Sequence, residues 1–188
     1  MDIDLRNYLH VYRDWFDKDR CAKIIKESSS LDWKQHTFYS PTLNKDVGGM
    51  SGDNEPATAG GEIASTEYLM DRVWQGFHTY IQNLQMPWIC GWSGFEAIKY
   101  IRYEEGQTMA LHCDRIKSMF DGERKGDPTI TAIGVLNDDY EGGEFIMWNQ
   151  KIDTKAGDLL MFPSNFLYPH KIEPIKRGVR YSIATWAW

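Results

Sequence analysis

Apolar positions along this chain keep two different periods. Before about residue 90 they recur every three or four positions, and beyond it they alternate or run together in short blocks. Leu69, Val73, Phe77, Ile81 and Leu84 fall on one helical stripe. The spacing predicts an amphipathic helix opened by Ser65, with Glu67 in its first turn, that stops before Pro87. Met70, Trp74 and His78 run along another side of it and read as packing residues. A shorter helix is predicted from an Asp17 cap to about Ser28, with Ala22, Ile24 and Ile25 on its apolar side. Residues 8–16 read as a strand before that helix, and Trp33 as the start of another after it. Between 41 and 61, Gly48, Gly49, Gly52, Pro56, Gly60 and Gly61 break every period. A stretch of that length is either a lid over a site or a variable surface loop.

After Pro87 eight segments read as strands: 95–103, 108–114, 129–136, 144–148, 151–154, 159–162, 169–175 and 179–188. Turn sequences such as 137–143 and 156–158 separate them. The pattern predicts a mainly β fold with N-terminal helices, its strands closing into a sandwich, jelly roll or barrel. No linker composition divides the chain. One domain over 1–188 is expected, with 1–90 as helical support and loop and 91–188 as the β core.

Composition narrows the function classes. The chain is 42% hydrophobic, with eight Trp, ten Tyr and eight Phe, which is enough for a sizeable core. A formal charge of −6 argues against a nucleic-acid partner, which calls for a basic stripe. No apolar run approaches membrane-spanning length, so no membrane association is expected. Met1-Asp2-Ile3-Asp4 has neither a basic nor an apolar leader region, so no signal peptide and a cytoplasmic location are expected. Cys21, Cys90 and Cys113 are scattered and odd in number, and suit neither a disulfide framework nor a zinc pattern.

The chemistry concentrates at His112-Cys113-Asp114. On a strand, side chains two apart share a face, so His112 and Asp114 can aim at one ion while Cys113 points away. His170, from a distant strand, would complete a triad of two imidazoles and one carboxylate. That donor set suits non-haem Fe(II) with positions left open. A lone His-x-Asp is a weak signal, since a satisfied core histidine is common. Arg180 strengthens it: its neighbours 181–186 read as buried, and a buried guanidinium needs an anion. A carboxylate fits its fork, and Ser182 shares its face.

Further along, the fragments form an ordered set: Tyr103 and Gly106 ahead of His112-x-Asp114, then TAIGVLND (131–138), Gly142-Gly143-Glu144-Phe145, AGDLLMFPS (156–164), YPHKIEP (168–174) and RYSIATW (180–186). In this order and spacing, the half from about Phe95 to Trp188 resembles the Fe(II)- and 2-oxoglutarate-dependent dioxygenases, in their prolyl 4-hydroxylase-like branch. The resemblance implies a double-stranded β-helix with His112, Asp114 and His170 as iron ligands. Arg180 then matches the residue that holds the distal carboxylate of 2-oxoglutarate, and Tyr103 a tyrosine that reaches the same cosubstrate. Arg at 180 is more similar to the oxygen-sensing type than to the collagen type, which uses Lys. Val135 stands where some relatives have a cosubstrate-contacting tyrosine, and so removes that contact. Trp186 matches a tryptophan near the substrate mouth.

The implied reaction uses Fe(II), O2 and 2-oxoglutarate, with ascorbate as a supporting reductant. It hydroxylates a substrate and releases succinate and CO2. A prolyl residue in a peptide or protein is the expected target, and a free amino acid or other small molecule is the alternative. For the latter, Arg115, Lys117 and Arg124 could anchor a carboxylate. A non-catalytic binding module on the same fold is a further alternative. Nucleic-acid demethylases of the superfamily carry a second Arg six residues after the first, where this chain has Trp186. Segments 41–61 and 115–127 are expected to flank the mouth.

Overall fold

The computed structural model describes residues 4–40, 43, 45–48, 54–85, 94–114 and 127–188. Its helices are a 3-10 turn at Leu5–Tyr8, α1 (Lys18–Ser28) and α2 (Thr66–Leu84). The N-terminal strands are β1 (His10–Tyr12), β2 (Lys34–Gln35), β3 (Thr37–Ser40), β4 (Lys45–Gly48) and β5 (Ala57–Ala59). Then come β6 (Lys99–Tyr103), β7 (Met109–His112), β8 (Ile130–Val135), β9 (Glu141–Gly142) and β10 (Phe145–Met147). The chain ends with β11 (Gln150–Ile152), β12 (Leu159–Pro163), β13 (His170–Ile172), β14 (Ile175–Arg177) and β15 (Arg180–Ala187).

Two antiparallel sheets organise these strands. The larger runs β1-β12-β8-β15-β6-β5-β2 and the smaller β11-β10-β13-β7. Val135, Leu160 and Phe162 of the large sheet cluster with Phe145, Met147 and Ile172 of the small one, so the sheets face each other. This is the double-stranded β-helix that the sequence led us to expect, with helices on the outside. On the other side of the large sheet, Leu69, Val73 and Phe77 of α2 pack with Ile130, Ala132, Leu159 and Met161. Helix and sheet touch most closely at Gly76, where a Cβ would stand 2.6 Å from Leu159 Cδ2. A side chain there would force Leu159 or the helix to shift.

Several local expectations change. Residues 8–16 give only the short strand β1, because Asp14 takes a left-handed turn (φ 48°). That turn is fixed by the buried carboxylate of Asp158, which accepts from the Asp14 N–H at 3.2 Å and pairs with Arg13 at 2.6 Å. Asp17 does cap α1, accepting from the Arg20 N–H at 3.0 Å. Ser65 occupies the cap position of α2 without a side-chain capping bond, and its own N–H donates to Glu27 at 2.8 Å, which ties α2 to α1. Trp74 and His78 lie on the solvent side of α2, and Tyr80 takes the buried place instead, donating to the Tyr8 carbonyl at 2.6 Å.

The stretch 41–61 is not one loop. Strand β4 within it pairs with β3 as a hairpin, and β5 pairs with both β2 and β6. The first half of the chain thus gives β1, β2 and β5 to the large sheet. Short strands with polar residues are hard to see in sequence because their pairing partners create them.

Candidate active site

Register brings the proposed ligands together. In the β7–β13 pair His112 and His170 are direct partners, and their ring centroids lie 4.4 Å apart. Asp114 lies just past the end of β7, yet its Oδ1 is 3.7 Å from His112 Nε2 and 3.8 Å from His170 Nε2. All three donor atoms fall within 4.8 Å of one another. Cys113, expected to point away, also borders this cavity, because strand alternation has ended by then.

The surrounding groups fix which atoms face inward. His112 Nδ1 lies 2.8 Å from the Ala110 carbonyl and His170 Nδ1 3.1 Å from the Tyr168 carbonyl. A carbonyl only accepts, so each Nδ1 carries the proton and each Nε2 keeps its lone pair for a metal. Phe145 stacks on the His170 ring at 5.2 Å, holding its plane. Thr131 Oγ1 donates to Asp114 Oδ2 at 2.6 Å, which leaves Oδ1 toward the histidines. Ser164 lies 2.6 Å from the same Thr131 oxygen. Thr131 has one proton and gives it to the carboxylate, so Ser164 is the donor to Thr131.

Electrostatics agree with this assignment at Asp114 and His170, while Asp114 draws a proton toward His112. Burial pushes the Asp114 carboxyl up, but the His170 and His112 rings and the Thr131 hydroxyl outweigh it and hold the group well below the usual carboxylate range. Burial pulls His170 down to about 4, against the pull of Asp114. For His112 burial is outweighed by the Asp114 carboxylate, and the ring is raised. Two imidazoles with inward Nε2 atoms and one ionised carboxylate fit the facial donor set of a non-haem iron.

A cavity of about 250 Å³ runs from this cluster across the inner face of the large sheet. Arg180 lines it at 2% exposure. Its Nη1 donates to Ser182 Oγ at 3.0 Å, and its guanidinium stacks 5.2 Å from the Tyr103 ring centre. Its Nε is buried without an acceptor, and no carboxylate among the described residues pairs with it. An internal Arg–carboxylate pair would have been the bland explanation of this side chain. What remains is a buried cation with donor capacity turned toward a cavity, which fits an anionic cosubstrate. Tyr103, expected beside it, is its direct partner across β6 and β15. Trp186 also lines the cavity. Arg115 and the segment 115–126 lie outside the described residues.

Sequence reasoning missed Thr131 and Ser164, and it missed His36, Phe38 and Lys99, which line the same cavity. Lys99 was within reach of the alternation argument: it stands four residues before Tyr103 on one strand and so shares its face. Phe38, edge-on to His112 at 5.9 Å, lies on β3, in the stretch expected to be strand after Trp33, but nothing in the sequence pointed that strand at the site.

Comparisons by sequence match about half of the chain, and comparisons by structure nearly all of it. The family model "2OG-Fe(II) oxygenase superfamily" matches residues 98–188, just under half of the sequence. A PKHD-type hydroxylase of Alteromonas mediterranea is 36% identical over 93 residues, 45% of this chain and 40% of the relative. One from Delftia acidovorans is 32% identical over 95 residues, 47% of this chain and 41% of the relative. The chain thus spans about two fifths of the length of these curated relatives. Among solved structures, a viral collagen prolyl hydroxylase from Paramecium Bursaria Chlorella virus-1, in complex with 2-oxoglutarate, superposes with a TM-score of 0.71 at 18% identity. It covers 96% of this chain and 95% of its own. A Trichoplax adhaerens prolyl hydroxylase holding a hypoxia-inducible-factor peptide gives 0.70 at 18%, covering 97% and 84%. At such identities these structures speak for the fold. Among the described residues, no helix is long and apolar enough to cross a membrane.

Proposed function

We propose that the protein hydroxylates a prolyl residue in a peptide or protein segment, using Fe(II), O2 and 2-oxoglutarate, a reading supported by the match of residues 98–188 to the 2OG-Fe(II) oxygenase superfamily. The observation that carries the reading is one cavity holding both the His112–Asp114–His170 cluster and an Arg180 with a buried donor to spare. When bound, iron with O2 and 2-oxoglutarate supplies the oxidising chemistry, and the cosubstrate leaves as succinate and CO2.

The chain's own residues position and exclude. His112 and His170 offer Nε2 atoms fixed by their backbone acceptors, and Asp114 offers the oxygen that Thr131 leaves free. Arg180, with Ser182 and Tyr103 beside it, grips the distal carboxylate of 2-oxoglutarate in a dry setting where a charge-assisted bond is strong. Phe38 and Trp186 wall the cavity on the substrate side and keep water from the reacting centre. Ascorbate serves as the reductant that keeps the metal in its ferrous state.

Prolyl substrates are supported by the PKHD-type relatives and by the fold shared with prolyl hydroxylases, one of them holding a peptide. An extended, proline-containing segment also arrives preordered at low entropic cost. A free amino acid is the second reading, favoured by one observation, the cation Lys99 in the cavity wall. The test is incubation of proline-containing peptides and free amino acids with Fe(II), ascorbate and 2-oxoglutarate. Succinate release and gain of one oxygen on proline in a peptide are expected. Oxygen gain on free amino acids alone would replace the first reading with the second.

A further inference from the structure

Lys99 stands out in a cavity whose other cation already has a task. It sits on the inner face of β6 with Ile101 and Tyr103, and its Nζ lies 4.9 Å from the centre of the Trp186 ring. Among the described residues no carboxylate comes within ion-pair distance of it. In the β6–β15 pairing Lys99 is opposite Ala184, while Tyr103 is opposite Arg180. Four strand positions separate their backbone sites along the sheet, roughly 13 Å at the ordinary rise per residue. With Arg180 facing the cosubstrate's distal carboxylate and the His112–Asp114–His170 cluster facing its other end, Lys99 is left for an anion carried by the substrate.

The neighbourhood of Lys99 is built for hydrogen bonding. His36, Thr37 and Thr58 line the same cavity. Burial, with Lys99 and His112 adding to it, pulls His36 down to about 4, so it faces the cavity as a neutral imidazole. Burial also lowers Lys99, only partly offset by Asp114 and Glu96. A half-buried ammonium with an indole beneath it, and with Asp114 and Glu96 near but outside ion-pair distance, gains most from a carboxylate supplied by a ligand.

We propose that Lys99 is a specificity residue that takes a carboxylate carried by the substrate, so that acidic substrates are hydroxylated in preference to neutral or basic ones. The carboxylate is either an Asp or Glu side chain beside the target residue or the α-carboxylate of a free amino acid. The proposal rests on the oxygenase reading of this cavity.

The experiment measures binding by calorimetry under anaerobic conditions, with Fe(II) and 2-oxoglutarate present, and then succinate release in air. The panel is one proline-containing peptide carrying Asp, Asn or Lys next to the proline, together with free proline and prolinamide. Wild type is expected to bind the acidic member of a pair roughly ten- to a hundredfold more tightly than its amide, the range for a bond to a charged group. Lys99→Met should bring that ratio to about one, Lys99→Arg should keep it, and Lys99→Glu should turn the preference toward the Lys peptide. A merely structural lysine would not reverse selectivity. Dependence seen only with free proline keeps the proposal and assigns the α-carboxylate as the source. A wild type that binds no acidic member, that treats acid and amide alike, or whose preference survives Lys99→Met overturns it. Iron-dependent 2-oxoglutarate consumption by wild type without any substrate tests the underlying reading separately. If it is absent the oxygenase reading fails, whereas if it is present with charge-blind binding only the role of Lys99 does.

Discussion

Strands β8 and β15 serve two interiors at once. Toward α2 they present Ile130, Ala132, Ile183 and Ala187, buried in a core with Leu69, Val73 and Phe77. Toward the small sheet, the alternate positions of the same strands present Thr131, Ile133, Arg180, Ser182, Ala184 and Trp186 to the cavity. The first face is complete: apolar groups meet apolar groups, and dispersion and desolvation both favour it. The second is unfinished, with a guanidinium at 2% exposure that has a buried donor unmatched and a carboxylate held ionised among imidazoles. Burying such groups costs free energy unless something meets them. The difference separates positions that stabilise the fold from positions that hold a ligand.

The largest test removes the carboxylate. Asp114→Ala leaves two histidines, too few for a facial site, and is expected to abolish iron binding and iron-dependent succinate release while the helix-side core stays folded. Metal content after gel filtration checks it; full metal occupancy would break the contrast. Next, Arg180→Ala should weaken 2-oxoglutarate binding by about 3–5 kcal/mol, a factor of hundreds or more. In ligand-free protein Arg180→Met should cost little or even stabilise, because an apolar chain of similar length replaces a buried charge with no carboxylate beside it. Phe77→Ala should do the opposite, with about 3–5 kcal/mol lost in urea unfolding and unchanged 2-oxoglutarate affinity for the folded fraction. Equal unfolding penalties for Arg180→Met and Phe77→Ala would erase the distinction between the two faces.

A smaller effect is expected behind the ligands. Thr131→Val keeps the shape but removes the donor to Asp114 Oδ2, and iron affinity should fall roughly 10- to 100-fold. Ser164→Ala should act in the same direction and less, since it touches the carboxylate only through Thr131. Titration with iron under anaerobic conditions reads both, and unaltered affinity in Thr131→Val would mean that packing alone orients Asp114. The smallest signal lies at the rim. Amide exchange at Thr37 and Phe38 should slow when iron, 2-oxoglutarate and a peptide bind, because these residues wall the cavity, while exchange at residues 69–77 stays constant. Uniform slowing in both segments would point to global stabilisation instead.

Legibility in the sequence followed the range of each interaction. The stripe of α2 and the Asp17 cap rest on contacts within a few residues and read directly from spacing, as did most strands after residue 90 from their alternation; β9 and β14 did not, since both fall where the sequence reads as turns and pair only with each other. The pairing of Arg180 with Ser182 was legible too, because two residues on one strand face share a side whatever the rest of the chain does. The hairpin β3–β4 and strand β5 were not, since they are short and mixed in polarity, and only the partner strands make them strands. The outward turn of Trp74 and His78 was likewise invisible, because an aromatic side chain fits a buried or an exposed helix face until the opposing sheet is known.

By itself the sequence determined which residue types were available and which strand neighbours share a face: two imidazoles, a carboxylate, a guanidinium, and the alternation that sets Arg180 with Ser182. Tertiary structure alone decided what they meet. Register across β7 and β13 placed His112 beside His170. The pairing of β6 with β15 set Tyr103 against Arg180 and left Lys99 far down the same wall. The antiparallel path of β12 beside β8 brought Ser164 to Thr131, and so fixed Asp114. A strand's period is a local property of its backbone, whereas its register is chosen by the packing of partners many residues away, and the site is made of registers.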